Sequence, residues 1–243
     1  NAGSSSIKFA VFQASDTPQP SASVRGAVTD IGRSTAVLEA WDILSGTRIA
    51  TAQPPGTIDD HDTALEAVLT CVDAHLGGAR IGGAGHRIVH GGPNFRAPCR
   101  IDESTLAALE QLAPLAPLHQ PHNLAGVRAL RRLDPRLPQV ACFDTAFHAD
   151  QLDTASVVPL PARYRDRGIR RYGFHGLSYE YVTRTFAETA GRVLPHRTVI
   201  AHLGNGASLA AVRDGRSVAT TMGFSTLDGM PMGTRCGHLD PGV

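Results

Sequence analysis

Lysine is all but missing from this sequence: among 23 basic side chains Lys8 is the single lysine, and the rest are arginines. A coding bias toward arginine accounts for most of that imbalance and leaves open why position 8 escapes it. A compact ammonium that meets phosphate as a point charge is one answer, and a chance survivor is the other. A one-signed charge field is lacking too, because the formal net charge is +1, which argues against a nucleic-acid partner. No apolar run is long enough to cross a bilayer and no signal-peptide pattern is recognisable, so no membrane partner is expected. The four cysteines, Cys71, Cys99, Cys142 and Cys236, are scattered without C-x-x-C spacing. That argues against a disulfide framework and against a zinc site, and makes a reducing cytoplasm the expected compartment. The chain begins without Met and stops on Asp240-Pro241-Gly242-Val243, a turn, so it reads as a piece of a longer protein.

What is present is an ordinary apolar fraction, 42% of 243 residues, enough for one large or two smaller cores. Two distant segments share one physical pattern. Asn1-Ala2-Gly3-Ser4-Ser5-Ser6-Ile7-Lys8-Phe9 and Leu203-Gly204-Asn205-Gly206-Ala207-Ser208-Leu209 each place Asn, Gly and Ser at a tight turn that runs into an apolar strand. Small residues let the backbone approach an anion, and hydroxyls and turn N–H groups can cradle phosphate oxygens. Two such loops suggest a nucleotide phosphate tail gripped from both sides.

Periodicity places strands at 7–13, 23–29 and 46–52, then a helix over 59–76 with Leu65, Val68, Leu69, Val72 and Leu76 on one face. A short strand at 88–89 runs into Gly91-Gly92, and helices follow over 102–112, with Asp102 as N-cap, and over 123–133. A buried strand over 139–143 is closed by Asp144. A second unit has a helix over 178–190, a strand over 198–203 and a hairpin, 208–212 with 217–221, around Asp214-Gly215. The Pro-rich stretch 158–162 is the candidate link between units. Three strands followed by alternating helices and strands, then a second unit with its own phosphate loop, read as a duplicated α/β architecture. Its expected domains are 1–150 and an incomplete 151–243, with the nucleotide in the cleft between them.

Five further stretches carry chemistry. Gly85-His86-Arg87-Ile88-Val89-His90-Gly91-Gly92 offers a guanidinium that can pair with carboxylate or phosphate, or merely with a surface acid. Pro117-Leu118-His119-Gln120-Pro121 sets a histidine just before a helix N-terminus, where anions are favoured. Asp144, in Phe143-Asp144-Thr145-Ala146-Phe147-His148, is a carboxylate at the end of a buried strand, where ligands gather in open α/β sheets. Its partner is Mg²⁺ or a nearby arginine. Arg171-Tyr172-Gly173-Phe174-His175-Gly176 and Met232-Gly233-Thr234-Arg235 add a histidine and a second arginine. No Ser-His-Asp order, metal-ligand cluster or G-x-x-x-x-G-K-[ST] loop competes. The inventory suits phosphoryl transfer, which is mostly positioning and charge neutralisation.

At these residues the chain closely resembles the acetate kinase family, part of the acetate and sugar kinase, heat-shock and actin superfamily. Asn1–Phe9, Gly85–Gly92, Pro117–His119, Phe143–His148, Arg171–Gly176, His202–Ser208, Gly233–Arg235 and Asp240–Gly242 match its motifs in order. The resemblance implies a duplicated ribonuclease H-like, actin-like ATPase fold of βββαβαβα units, with the second incomplete. It implies a cytoplasmic homodimeric phosphotransferase that moves a phosphoryl group between ATP and acetate, giving acetyl phosphate and ADP, with Mg²⁺ or Mn²⁺. Carried over residue by residue, it assigns Asn1, Ser4, Ser6, Lys8, His202, Gly204, Asn205 and Gly206 to the nucleotide phosphates. Arg87 and Arg235 flank the acyl carboxylate and the transferring group, and His175 donates to it with His119 in support. Asp144, with Asn1, holds the metal, and Val89, Leu118 and Phe174 line the pocket for the acyl methyl group. Thr226 stands where the family has Pro, and Cys236-Gly237-His238 where it has Ser-Gly-Asp. The family chain is longer than this one, and its further part carries most of the adenosine pocket and a catalytic Glu. The competing readings are a propionate or other short-chain acyl kinase, a phosphohydrolase of the same superfamily, and a non-catalytic remnant that binds nucleotide or phosphate.

Overall fold

Alternating apolar residues at Ile7, Phe9 and Val11, with Val28, need a surface to cover them, and the helix over His61–Leu76 supplies it. In the computed structural model, which describes residues 1–3, 5–14, 21–52, 57–240 and 242, the chain forms two units that interleave in sequence. Unit one comprises Asn1–Arg87, Arg100–Glu110 and Pro117–Val140; unit two comprises Ile88–Cys99, Gln111–Ala116 and Ala141–Val243. The sequence reading divides the chain once, at residue 150; the stretch 158–162 lies inside unit two.

Unit one opens with a four-stranded antiparallel meander, β1 (Ile7–Phe12), β2 (Ala22–Thr29), β3 (Val37–Asp42) and β4 (Arg48–Ala52), hydrogen-bonded in that order. Four strands correct the three expected: β3 had gone unassigned, although Leu38 and Ala40 alternate inward in it. Gly26 of β2 has a stereochemical reason to be glycine. A Cβ there would lie 2.5 Å from the Phe9 ring and 2.6 Å from the Glu39 carbonyl oxygen. Helix α1 (His61–Leu76) starts on a capping box between Asp60 and Thr63 and ends on Gly77 in the left-handed region, φ 59°. It buries Ala64, Val68 and Val72 against Ile7, Val28 and Leu38. Val68 and Val72 of the expected stripe are buried and Leu65, Leu69 and Leu76 flank them half-buried, while Ala64 joins the inward face. Burial of three such side chains contributes about 1–3 kcal/mol each.

A three-stranded sheet follows, ordered β5 (Ala84–Ile88), β7 (Gln139–Phe143), β6 (Cys99–Arg100). Helices α2 (Glu103–Glu110) and α3 (Gln120–Leu133) belong to unit one. The Asp102 carboxylate accepts from the Thr105 N–H at 2.7 Å, as an N-cap should. Helix α3 starts three residues before its expected beginning, with His119 at the N-cap and Pro121 in the first turn. Proline there costs no helical hydrogen bond.

Unit two carries single-turn helices α4 (Asp153–Ser156) and α5 (Ala162–Arg165), then α6 (Gly176–Ala190). An antiparallel sheet of β8 (Arg197–Leu203), β9 (Ala207–Arg213) and β10 (Arg216–Thr220) follows, with β9 in the middle. Asp214 and Gly215, φ 51° and 77°, make the expected hairpin turn between β9 and β10. Tyr179 on α6 packs with Ile200, Ala210 and Val212 in this unit's core. The element pattern is the mixed α/β organisation of an actin-like ATPase fold. Among the described residues, no helix is long and apolar enough to cross a membrane.

Candidate active site

The two Asn/Gly/Ser loops occupy equivalent places, each closing an antiparallel pair. In unit one the loop lies between Ala2 and Ile7, which form a bridge; the Gly3 N–H donates to the Ser6 carbonyl at 2.8 Å. In unit two it lies between Leu203 and Ala207, paired across β8 and β9, with the Gly204 N–H donating to the Gly206 carbonyl at 3.2 Å.

Unit one gathers Asn1, Ser6, Lys8 and Arg87; Ser4 lies outside the described residues. The Lys8 N–H donates to the Asn1 carbonyl at 2.9 Å. Because β1 sends Ile7 into the core, strand alternation puts the Lys8 side chain on the opposite, exposed face. Arg87, next to last in β5, donates from Nη1 to Asn1 Oδ1 at 3.3 Å. Two residues that the motifs did not single out hold the loop backbone. Asn123 of α3 donates from Nδ2 to the Ala2 carbonyl at 2.6 Å, and His61 of α1 donates from Nε2 to the Gly3 carbonyl at 2.6 Å. His122 stacks on His61 with ring centroids 5.7 Å apart. Asn123 enters the sequence reading only as the first residue of the helix expected over 123–133. His119 sits at the α3 N-cap, and Leu118 beside it is 76% exposed.

Unit two gathers the rest. Asp144, 1% exposed, directly follows β7; its N–H donates to the Ile88 carbonyl at 3.2 Å and its carbonyl accepts from the Gly176 N–H at 2.8 Å. A Cβ on Gly176 would come within 2.2 Å of the Asp144 carbonyl oxygen, so only glycine lets α6 begin against that strand end. The turn that delivers His175 is made by Gly173 and by His175 itself, both left-handed at φ 73° and 61°. A non-glycine residue held there marks an over-determined position of the kind concentrated at functional sites.

His175 stands in a polar cluster. Its Nδ1 is 2.8 Å from Ser208 Oγ, and that hydroxyl also bonds the Tyr179 phenol. Its ring stacks on His202, centroids 4.1 Å apart, and His202 Nδ1 is 2.9 Å from Ser178 Oγ. On the other side, a Cβ built on Gly206 would be 3.1 Å from His175 Nε2 and 3.3 Å from Arg235 Nη1. Arg235 is fixed by donation from Nη1 to the Thr226 carbonyl at 3.0 Å. His175, Arg235 and the second loop, read from three separate motifs, are thus brought together; Asn205 is exposed at the loop tip. Val89 and Phe174 are buried with Ala116, Tyr172 and Met222, and Phe224 and Met232 pack at the margin of that cluster.

Two other histidines are buried as neutral rings. Desolvation lowers both His90 and His148 to about 4; for His148 the Phe174 carbonyl partly offsets it. The Gly92 N–H donates to His90 Nδ1 at 2.9 Å, and the Gly91 N–H to Thr145 Oγ1 at 3.0 Å, which shapes the turn after β5. Among the described residues no three His, Cys, Asp or Glu side chains form a metal-binding group. Asp144 therefore offers a single carboxylate. Mg²⁺, which keeps several waters and takes one or two carboxylates beside phosphate oxygens, fits such a donor set.

The family model of the acetokinase family matches residues 1–243. An acetate kinase of Methylocella silvestris is 47% identical over 249 residues, covering 100% of this chain and 61% of that protein. The crystal structure of Porphyromonas gingivalis acetate kinase superposes with a TM-score of 0.84 at 34% identity, covering 100% of this chain and 61% of that one. A propionate kinase structure from Francisella tularensis gives 0.87 at 33% identity, covering 99% and 60%. The chain thus spans about three-fifths of the length of the proteins it matches.

Proposed function

The chain belongs to the acetokinase family, and on that premise we propose that the whole protein transfers the γ-phosphoryl group of ATP to acetate, reversibly. The observation that carries this reading is the convergence of His175 Nε2 and Arg235 Nη1 on Gly206 in the second loop. An imidazole and a guanidinium aimed at one glycine of an anion-cradling turn suit a phosphoryl group whose charge grows on its equatorial oxygens.

In this reading Arg87 and Arg235 hold the acetate carboxylate and the transferring group in line. A carboxylate oxygen attacks the γ-phosphorus, a new O–P bond forms, and the bridging O–P bond to the β-phosphate breaks, releasing ADP. His175 donates from Nε2 to an equatorial oxygen, with His119 in support. Ser4, Ser6, Lys8, His202, Gly204, Asn205 and Gly206 bind the phosphates, and Val89, Leu118 and Phe174 enclose the methyl group. Asp144 and Asn1 would hold Mg²⁺, which would supply charge neutralisation to the phosphates. The working protein is a homodimer.

A second reading, propionate as the acceptor, is favoured by the likeness to the Francisella propionate kinase structure. Thr226, where the family has Pro, contributes the carbonyl that anchors Arg235. One methylene in an apolar pocket is worth about 1–3 kcal/mol, so the preference should be graded. The test is kcat/KM of the whole protein for acetate, propionate and butyrate. We expect acetate first and propionate within about 200-fold of it. Propionate above acetate selects the second reading, butyrate above both overturns each of them, and no turnover with any short-chain acid overturns the kinase assignment.

A further inference from the structure

His175 is the end of a directed hydrogen-bond chain. The Tyr179 phenol bonds Ser208 Oγ. Tyr179 and Ser208 are both fully buried, so no bulk water competes for their protons. Ser208 Oγ has one proton and two neighbours, the phenol and His175 Nδ1 at 2.8 Å. Among the described residues Ser208 Oγ is the hydrogen-bond partner of the buried phenol, so the phenol proton goes to Ser208 Oγ. The serine proton then goes to His175 Nδ1, which must accept it. The imidazole proton is left on Nε2, the atom directed at Gly206.

The same arrangement recurs beside it with different residues, the His148 ring lying 5.7 Å from that of Tyr179, centroid to centroid. Gln151 Nε2 donates to Ser217 Oγ at 2.9 Å, Ser217 Oγ lies 2.7 Å from His148 Nδ1, and His148 Nε2 lies 3.0 Å from the Phe174 carbonyl. There Nε2 must be the donor because a carbonyl can only accept, so the serine donates to Nδ1. A serine hydroxyl that takes one proton and gives one to a histidine Nδ1 is therefore a device this fold uses at a purely structural site.

We propose that Tyr179 and Ser208 are positioning residues that hold His175 as its Nε2–H tautomer, so that the ring meets a phosphoryl oxygen as a donor rather than as an acceptor. The stacked His202 ring restrains the same imidazole against tilting. The role of the donated proton rests on the kinase reading above; the tautomer assignment does not. A wrong tautomer presents a lone pair to an anionic oxygen, which repels it.

The test uses the whole protein labelled with ¹⁵N-histidine, with the His175 signals identified by their loss in His175→Gln. Near neutral pH the wild-type spectrum should show a protonated Nε2 and an unprotonated Nδ1. Tyr179→Phe removes only the phenol hydroxyl and keeps the ring in the core. It frees Ser208 to accept from Nδ1, so the two ring nitrogens should move toward a mixed tautomer. We expect kcat to fall about tenfold, the lower end of what partners orienting a metal-bound histidine contribute, with KM for acetate and ATP held within about twofold. A wild-type spectrum with Nδ1 protonated overturns the proposal without any variant. So does a Tyr179→Phe protein whose tautomer or kcat is unchanged, or whose loss lies wholly in KM. If the wild-type protein phosphorylates no carboxylate but its Nε2–H tautomer depends on Tyr179, the kinase reading fails while the positioning chain stands.

Discussion

Arg235 shows how much one side chain's anchoring matters. Its guanidinium is held to the Thr226 carbonyl and directed at Gly206 by the same Nη1. Arg235→Ala in the whole protein should lower kcat by about 10³-fold or more, the range for a guanidinium that stabilises a transferring phosphoryl group. Arg235→Lys should recover little of it, since an ammonium lacks the planar, multi-donor fork of a guanidinium. A steady-state assay with near-normal kcat in either variant would remove Arg235 from the site. The buried histidines give a prediction about pH. His90 and His148 have folded values lowered to about 4, against an ordinary value of 6.5. Between those limits the unfolded chain binds more protons than the folded one, so stability rises with pH. The stabilisation is complete above about 6.5 and is lost as pH falls toward about 4, by up to about 3 kcal/mol per ring. Urea denaturation between pH 7 and 4 should show this decline, and His148→Gln should flatten part of it; a wild-type midpoint constant over that window would contradict the burial argument.

At the scale of elements, two contacts decide where the loops sit. Helix α6 can begin at the end of β7 only because residue 176 has no side chain. Gly176→Ala must displace a backbone carbonyl, not a flexible side chain. It should cost about 3 kcal/mol or more, the upper part of the overpacking range, and lower kcat by moving His175. Chemical denaturation alongside kinetics checks both effects, and an unchanged stability would mean that the helix start yields easily. In unit one, α3 holds the first loop through a single buried amide. Asn123→Ala leaves the Ala2 carbonyl without its donor, a loss of about 1–3 kcal/mol. KM for ATP should rise more than KM for acetate if the loop serves the nucleotide. A variant with both constants unchanged would show that the loop holds itself.

At the scale of the whole molecule, β8 is an edge strand of its sheet, and Val199 and Leu203 on it are 69% and 72% exposed. Tyr181 on α6 is exposed as well. Edges with apolar side chains invite pairing. Residues 1–243 expressed alone should therefore associate with rising concentration in sedimentation runs. They should also give negligible acetyl phosphate, because the proteins they match are longer. Full turnover from a monomer of this length would show that the extra length of the proteins it matches is dispensable for the reaction.

Local chemistry was enough for much of this. Asn, Gly and Ser at two turns, Arg87, Asp144, His175 and Arg235 at loop and strand ends, and the Asp214-Gly215 hairpin were all legible, because turn chemistry and strand alternation act within a few residues. The long antiparallel order was legible less well: β3 escaped because its six residues give little periodicity without their partners. What no window of sequence could supply was the company each residue keeps. Asn123 lies 121 residues from Ala2, His61 lies 58 from Gly3, and Ser208 lies 33 from His175. Those bonds exist only when helices and sheets have packed. The hydroxyls that set the tautomer of His175, like the glycine that admits its helix, belong to the tertiary structure because burial is what makes their partners obligatory.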